Sequence, residues 1–105
     1  MDSIQNILSK NIKKYREKLD LSQFKLASES GLSQGYINSI ESGMKYPSAS
    51  SLEKICSVLN IKPYVLFLDD KDTEKFEKLK VLNEIRDKTI SIITEKINKT
   101  IDEYL

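Results

Sequence analysis

The stretch from Ser22 to Gly43, SQFKLASESGLSQGYINSIESG, leaves this chain few ways to fold. Its apolar residues fall into two short helical groups, Leu21, Leu26 and Ala27 in the first and Ile37 and Ile40 in the second. Gly31 lies between them, where a chain that reverses within a few residues needs positive φ and glycine accepts it without strain. Ser22 and Ser33 each precede a helical run, and a serine hydroxyl there accepts a bond from one of the free N–H groups of the first turn. Gly43 follows Ser42, where a left-handed residue closes a helix. The sequence therefore predicts two short helices joined by a tight turn.

The outward positions of the second helix are Gln34, Gly35, Tyr36, Asn38 and Ser39. Apart from the tyrosine they are short, neutral and polar, whereas a solvated helix face is usually rich in Lys and Glu. Such a face suits a surface of closely spaced donors and acceptors, and the edge of a DNA major groove is one. With Pro47 included, the pattern SQ-x-x-LA-x-x-x-G-x-S-x-x-x-I-x-x-IE-x-G-x-x-x-P resembles the helix-turn-helix of the lambda-repressor-like DNA-binding family, also called Cro-type or XRE-type. The positions that carry it are Ser22, Gln23, Leu26, Ala27, Gly31, Ser33, Ile37, Ile40, Glu41, Gly43 and Pro47. The likeness runs from about Leu8 to Phe67 and finds no counterpart after Asp69.

That resemblance implies an all-α fold: a five-helix DNA-binding domain over residues 1–70, followed by a C-terminal helical extension over 71–105. Charge follows the same division. Residues 1–68 hold nine Lys/Arg against six Asp/Glu, a net of +3, while residues 69–105 hold eight against ten, a net of −2. The basic part is the part with the motif, as phosphate binding requires, although +3 is modest.

Before the motif, Leu8, Ile12, Tyr15 and Leu19 recur at spacings of 4, 3 and 4, one face of a helix over Ile4 to Leu19. Lys10, Lys13, Lys14 and Lys18 fall off that face; the expectation is a solvated surface, with contact of one lysine to DNA phosphate as the alternative. The resemblance pairs Arg16 with Glu41, which ends the second motif helix. A buried bidentate pair would fix the angle between first and third helices, whereas a surface pair would contribute almost nothing. After the motif, Pro47 blocks helix continuation. Ser48 caps a helix whose face is Leu52, Ile55, Cys56 and Leu59, and Asn60 can end it. Pro63 fits the first turn of a short fifth helix with Val65, Leu66 and Phe67 closing the core.

From residue 71 to Leu105 neither Gly nor Pro occurs. On a helix, Phe76, Leu79, Leu82, Ile90, Ile93, Ile97, Ile101 and Tyr104 form one stripe, interrupted by Arg86 and widened by Val81, Ile85 and Ile92. Thr89 to Thr94 is β-branched enough for a strand, but helix formers surround it. The stripe must bury against something: a second copy, its own domain or another protein. Pairing with a second copy, through Leu79, Leu82, Ile90, Ile93, Ile97 and Ile101, is the expectation.

The function expected is a sequence-specific DNA-binding transcriptional regulator, a repressor, that binds an inverted repeat as a homodimer with helix 34–42 in the major groove. Base contacts fall to Gln34, Gly35, Tyr36, Asn38 and Ser39. Gln34 can pair bidentately with adenine, and Gly35 either permits close approach or simply removes one contact. Tyr36 either braces the helix with its hydroxyl on a phosphate or stacks on a thymine methyl. By the resemblance, phosphate contacts fall to Gln23, Ser42, Lys45 and Tyr46. The rival reading is an antitoxin or a regulator controlled by a protein bound to the C-terminal helix. An enzyme is not expected: there is no His, no Gly-rich phosphate loop, and the single Cys56 lies on a core face. No metal site or cofactor is expected, since Asp69, Asp70 and Asp72 lack the spacing of a calcium loop. No signal peptide, membrane span or lipidation motif is seen, so the expected location is the cytoplasm, away from membranes.

Overall fold

A computed structural model describes residues 3–105; the first two residues of the expected N-terminal domain lie outside it. Helices α1 (Ile4–Lys18), α2 (Gln23–Ser30), α3 (Gln34–Glu41) and α4 (Ala49–Leu59) are followed by a 3₁₀ helix (Pro63–Phe67) and a long α5 (Asp70–Tyr104). The chain divides into two compact units, Met1–Asp69 and Asp70–Leu105.

In the first unit one device starts and one device ends every α-helix. Ser3, Ser22, Ser33 and Ser48 each sit in extended backbone and accept, through Oγ, the N–H of the residue three positions on. At the other ends stand Asp20 (φ +55°), Gly31 (+73°), Gly43 (+79°) and Asn60 (+54°), all left-handed. The next residue then sends its N–H back across the last turn: Leu21 to the Arg16 carbonyl, Leu32 to Ala27, Met44 to Ser39 and Ile61 to Cys56. This is the Schellman closure, which normally buries the apolar residue that follows the left-handed one. Leu21, Leu32 and Ile61 do pack against the core. Met44 does not; it is 81% exposed.

The same closure corrects the face expected for α1. Leu8 and Ile12 are fully buried and Tyr15 half-buried, but Leu19 is exposed. The helix stops at Lys18, Asp20 turns the chain, and Leu21 takes the place at the core that the 4-3-4 spacing gave to Leu19. Arg16, not an apolar residue, occupies the buried position of the last turn. Lys14 and Lys18 lay their ammonium groups 5.1 and 5.0 Å from the Tyr15 ring centroid, covering its outer edge.

The core comprises Leu8, Ile12, Leu26, Ala27, Ile37, Ile40, Ile55, Cys56, Leu59 and Leu66, with each α-helix of the unit contributing at least two. The fifth helix is 3₁₀, and only Val65 and Leu66 of its apolar residues are buried. Phe67, expected to close the core, is exposed: with three residues per turn, a five-residue segment cannot turn all three side chains inward. What anchors this segment is polar: Asn11 of α1, itself buried, donates through Nδ2 to the Leu66 and Leu68 carbonyls, each at 2.8 Å.

The second unit is a 35-residue helix, about 52 Å long at 1.5 Å per residue. Thr89 to Thr94 is helical within it, as its neighbours predicted. None of its residues is buried.

Candidate nucleic-acid interface

Helix α3 is held from behind by fully buried Ile37 and Ile40, and its two ends are tied by polar contacts to different helices. At its start, Ser33 Oγ caps the Tyr36 N–H at 3.1 Å. The Tyr36 ring packs on the core, and its hydroxyl accepts the Ser48 N–H at 3.3 Å, at the head of α4. A hydrogen bond from the Ser51 side chain, followed by that from the Ser48 N–H, lowers the Tyr36 pKa below its ordinary value. Tyr36 is thus a brace between α3 and α4 that is only half exposed, and its hydroxyl is already engaged.

At the far end, Glu41 receives Arg16 of α1 in a two-point clasp, Nε to Oε2 at 2.8 Å and Nη2 to Oε1 at 2.9 Å. The side chains are only 10% and 3% exposed. Arg16 also donates Nη1 to the Leu21 carbonyl at 2.7 Å. The bond to Glu41, against the opposing cost of burial, raises the Arg16 pKa above its ordinary value. Ser9 of α1, also buried, has its hydroxyl 2.8 Å from the Ile40 carbonyl, and Gln5 donates to the Gly43 carbonyl. The end of α3 is therefore fixed to α1 at three places, Ile40 and Glu41 in its last turn and Gly43 just beyond it.

Gln23 opens α2 with its side-chain amide directed toward α3: Nε2 lies 3.3 Å from Glu41 Oε1 and 3.4 Å from Asn38 Oδ1. Engaging the Asn38 oxygen leaves the Asn38 amide N–H₂ free to donate outward. A shallow cleft of about 180 Å³ is lined by Lys13, Gln23, Asn38, Glu41 and Ser42. It brings the ammonium of α1 to the same edge as the polar end of α3. Lys13 was one of four lysines placed off the core face by sequence; nothing in its spacing set it apart, because α1 and α3 meet only in the fold.

Of the expected base-contacting residues, Gln34, Gly35 and Asn38 are exposed, while Tyr36 and Ser39 are half-buried. Ser39 uses its carbonyl to receive the Met44 and Lys45 N–H groups. A Cβ added at Gly35 would meet nothing within 4 Å, so glycine there is not demanded by packing and leaves a smooth patch open to approach. Ser42 donates its hydroxyl to the Ser39 carbonyl at 3.1 Å, and Lys45 and Tyr46 stand exposed just beyond. Met44 stands with them, unpacked. It was missed in the sequence because only the unfilled Schellman position distinguishes it. Leu79, Leu82, Ile90, Ile93, Ile97 and Ile101 of α5 are 47–60% exposed.

This geometry presents a short helix with a neutral polar face, gripped at both ends, flanked by lysines and open to solvent. Residues 12–66 match the family model HTH_3, helix-turn-helix. No curated protein sequence matches the chain. Among solved structures, a hypothetical transcription factor, NHTF from Neisseria, is similar with TM-score 0.67 and 26% identity, over 70% of this chain and 85% of that one. The restriction-modification controller protein C.AhdI from Aeromonas hydrophila gives 0.58 and 30%, over 60% and 96%. SinR, a master regulator for biofilm formation solved in complex with DNA, gives 0.55 and 33%, over 56% and 95%. No described helix is long and apolar enough to cross a membrane.

Proposed function

The chain belongs to the HTH_3 helix-turn-helix family, a family of DNA-binding regulators rather than enzymes, and on that premise we propose that it regulates transcription by placing α3 in the major groove of a specific operator. The observation that carries the reading is the exposed, uncharged face of Gln34, Gly35 and Asn38 on a helix locked at both ends. A reading head must hold its angle, because a hydrogen bond to a base edge tolerates only a few tenths of an ångström.

In this account Gln34 and Asn38 donate to and accept from base edges, and Ser39 supports them from the side. The absent side chain at Gly35 lets the groove floor come close. Gln23, at the N-terminus of α2 where free N–H groups face outward, contacts phosphate. Lys13, Ser42, Lys45 and Tyr46 contact the backbone around it and fix the register. Tyr36 serves as the brace that its bond to Ser48 describes. SinR, similar in fold and solved in complex with DNA, supports DNA as the partner.

One α3 reads only a few base pairs, so site recognition requires two. Two copies joined through α5 bind an inverted repeat whose half-sites lie one helical turn, about 34 Å, or a multiple of it apart. Where that operator overlaps a promoter, the bound dimer represses by occupying it. The test is selection of bound duplexes from a random pool with the full chain. An enriched inverted repeat supports the reading, and a lone short half-site removes the homodimer from it. No enrichment at all removes autonomous sequence recognition and leaves a regulator that needs a protein partner.

A further inference from the structure

The exposed stripe of α5 has a period that says more than that it is apolar. Phe76 is half-buried and so outside the exposed stripe; from there on Leu79, Leu82, Arg86, Ile90, Ile93, Ile97, Ile101 and Tyr104 are spaced 3, 4, 4, 3, 4, 4 and 3. That is an 11-residue repeat, 3.67 residues per turn, which keeps a seam straight or slightly right-handed instead of winding it into the left-handed coil of a 7-residue repeat. The sequence of spacings reads the same in both directions about the midpoint between Ser91 and Ile92. A second α5 running the opposite way therefore offers its side chains at matching heights: Leu79 meets Tyr104, Leu82 meets Ile101, and Ile90 meets Ile93.

The occupant is set by size and by self-complementarity. The seven apolar residues of the seam, six of them about half exposed and Tyr104 85% exposed, offer roughly 700 Å² per copy, close to the ~800 Å² per partner of a standard stable interface. A twofold dimer demands one patch that fits itself, and this one does.

Arg86 decides the direction. It is the one charged residue in the seam between Leu79 and Tyr104, and it is 11 residues from Ile97, the position its height matches in the reversed partner. Parallel in-register helices would set two Arg86 guanidiniums against each other in the contact. Reversed helices keep them roughly 16 Å apart at 1.5 Å per residue, where each long side chain can lie along the seam and reach water at its edge. A charge that penalises one orientation far more than the other is how helix pairs exclude a wrong partner arrangement.

We propose that α5 joins two copies of this chain as an antiparallel, nearly straight helix pair, with Arg86 as the residue that excludes the parallel one. The inference rests on the homodimer reading above. Its test is a distance measured between spin labels on Glu77→Cys, a position off the seam, in the full chain; buried Cys56 does not compete for the label. Reversed pairing sets the two labels about 45 Å apart, whereas parallel pairing sets them about 25 Å apart. Sedimentation of the same sample gives the association state, and Arg86→Leu lowers the dimer dissociation constant tenfold or more. A dimer with a predominant short distance overturns the antiparallel arrangement and leaves the homodimer standing. A monomer at every concentration overturns both.

Discussion

Breaking the Arg16–Glu41 clasp is the perturbation whose size the structure fixes best. Both side chains are nearly removed from water, and three of the Arg16 nitrogens are engaged, two on Glu41 and one on the Leu21 carbonyl. Glu41→Ala leaves a buried guanidinium with one neutral acceptor; Arg16→Ala leaves a carboxylate facing only the Gln23 amide. Stranding either partner of a buried pair costs about 3–5 kcal/mol. A domain of this size has on the order of 3–10 kcal/mol in all, at about 0.05–0.15 kcal/mol per residue. Each single substitution therefore removes a large fraction of the stability of the first unit. Replacing both together, Arg16→Met with Glu41→Leu, strands nothing and costs much less than the sum, so a double-mutant cycle gives a coupling of about 2 kcal/mol or more. Urea unfolding followed by tyrosine fluorescence measures it, because four of the five tyrosines lie in the first unit. Single substitutions that each cost under about 1 kcal/mol, the range of exposed ion pairs, would refute the argument.

Gln34→Ala weakens binding to the selected operator by about 1–3 kcal/mol, roughly 5- to 150-fold, and relaxes preference at one base position only; titration against single-base variants of the site shows it. Lys13→Ala weakens binding about equally on all sequences and reduces the slope of log affinity against log salt by about one, which a salt series on operator and random DNA checks. Burial raises the Cys56 thiol pKa above its ordinary 9.0, so the folded chain favours the neutral thiol. The stability linked to this is fully present below pH 9.0 and is lost as pH rises through the higher folded value. Accordingly, Cys56→Ala flattens the alkaline fall in stability, and thiol reagents label wild-type Cys56 at neutral pH only as fast as the unit opens.

What was legible in the sequence was what local chemistry decides. Ser22, Ser33, Ser48, Gly31, Gly43 and Asn60 act within four residues of themselves, so their types and positions announce the helix ends directly. Leu19 and Phe67 were misplaced for the opposite reason. Each fits the apolar period of its segment, but where the period stops is set by an aspartate that tolerates positive φ at 20 and by a turn of 3₁₀ geometry at 63–67, and neither has a strong composition signal. Tyr36 shows the limit at the site itself. Its place on α3 left bracing and base contact both open, because the hydroxyl partner that favours the brace, Ser48, lies twelve residues away across a loop. Lys13 and Met44 needed the assembled fold to stand out at all.

Sequence reading by α3 is decided by the ratio of affinities of the full chain for its selected operator and for random duplex of equal length, at one stated salt concentration. If α3 reads the major groove through Gln34 and Asn38, the operator binds at least about 10³-fold more tightly, and the ratio collapses toward one when both residues are replaced by alanine. Equal affinity of the unaltered chain for the two duplexes would mean that the neutral face of α3 reads no sequence, and would contradict the account.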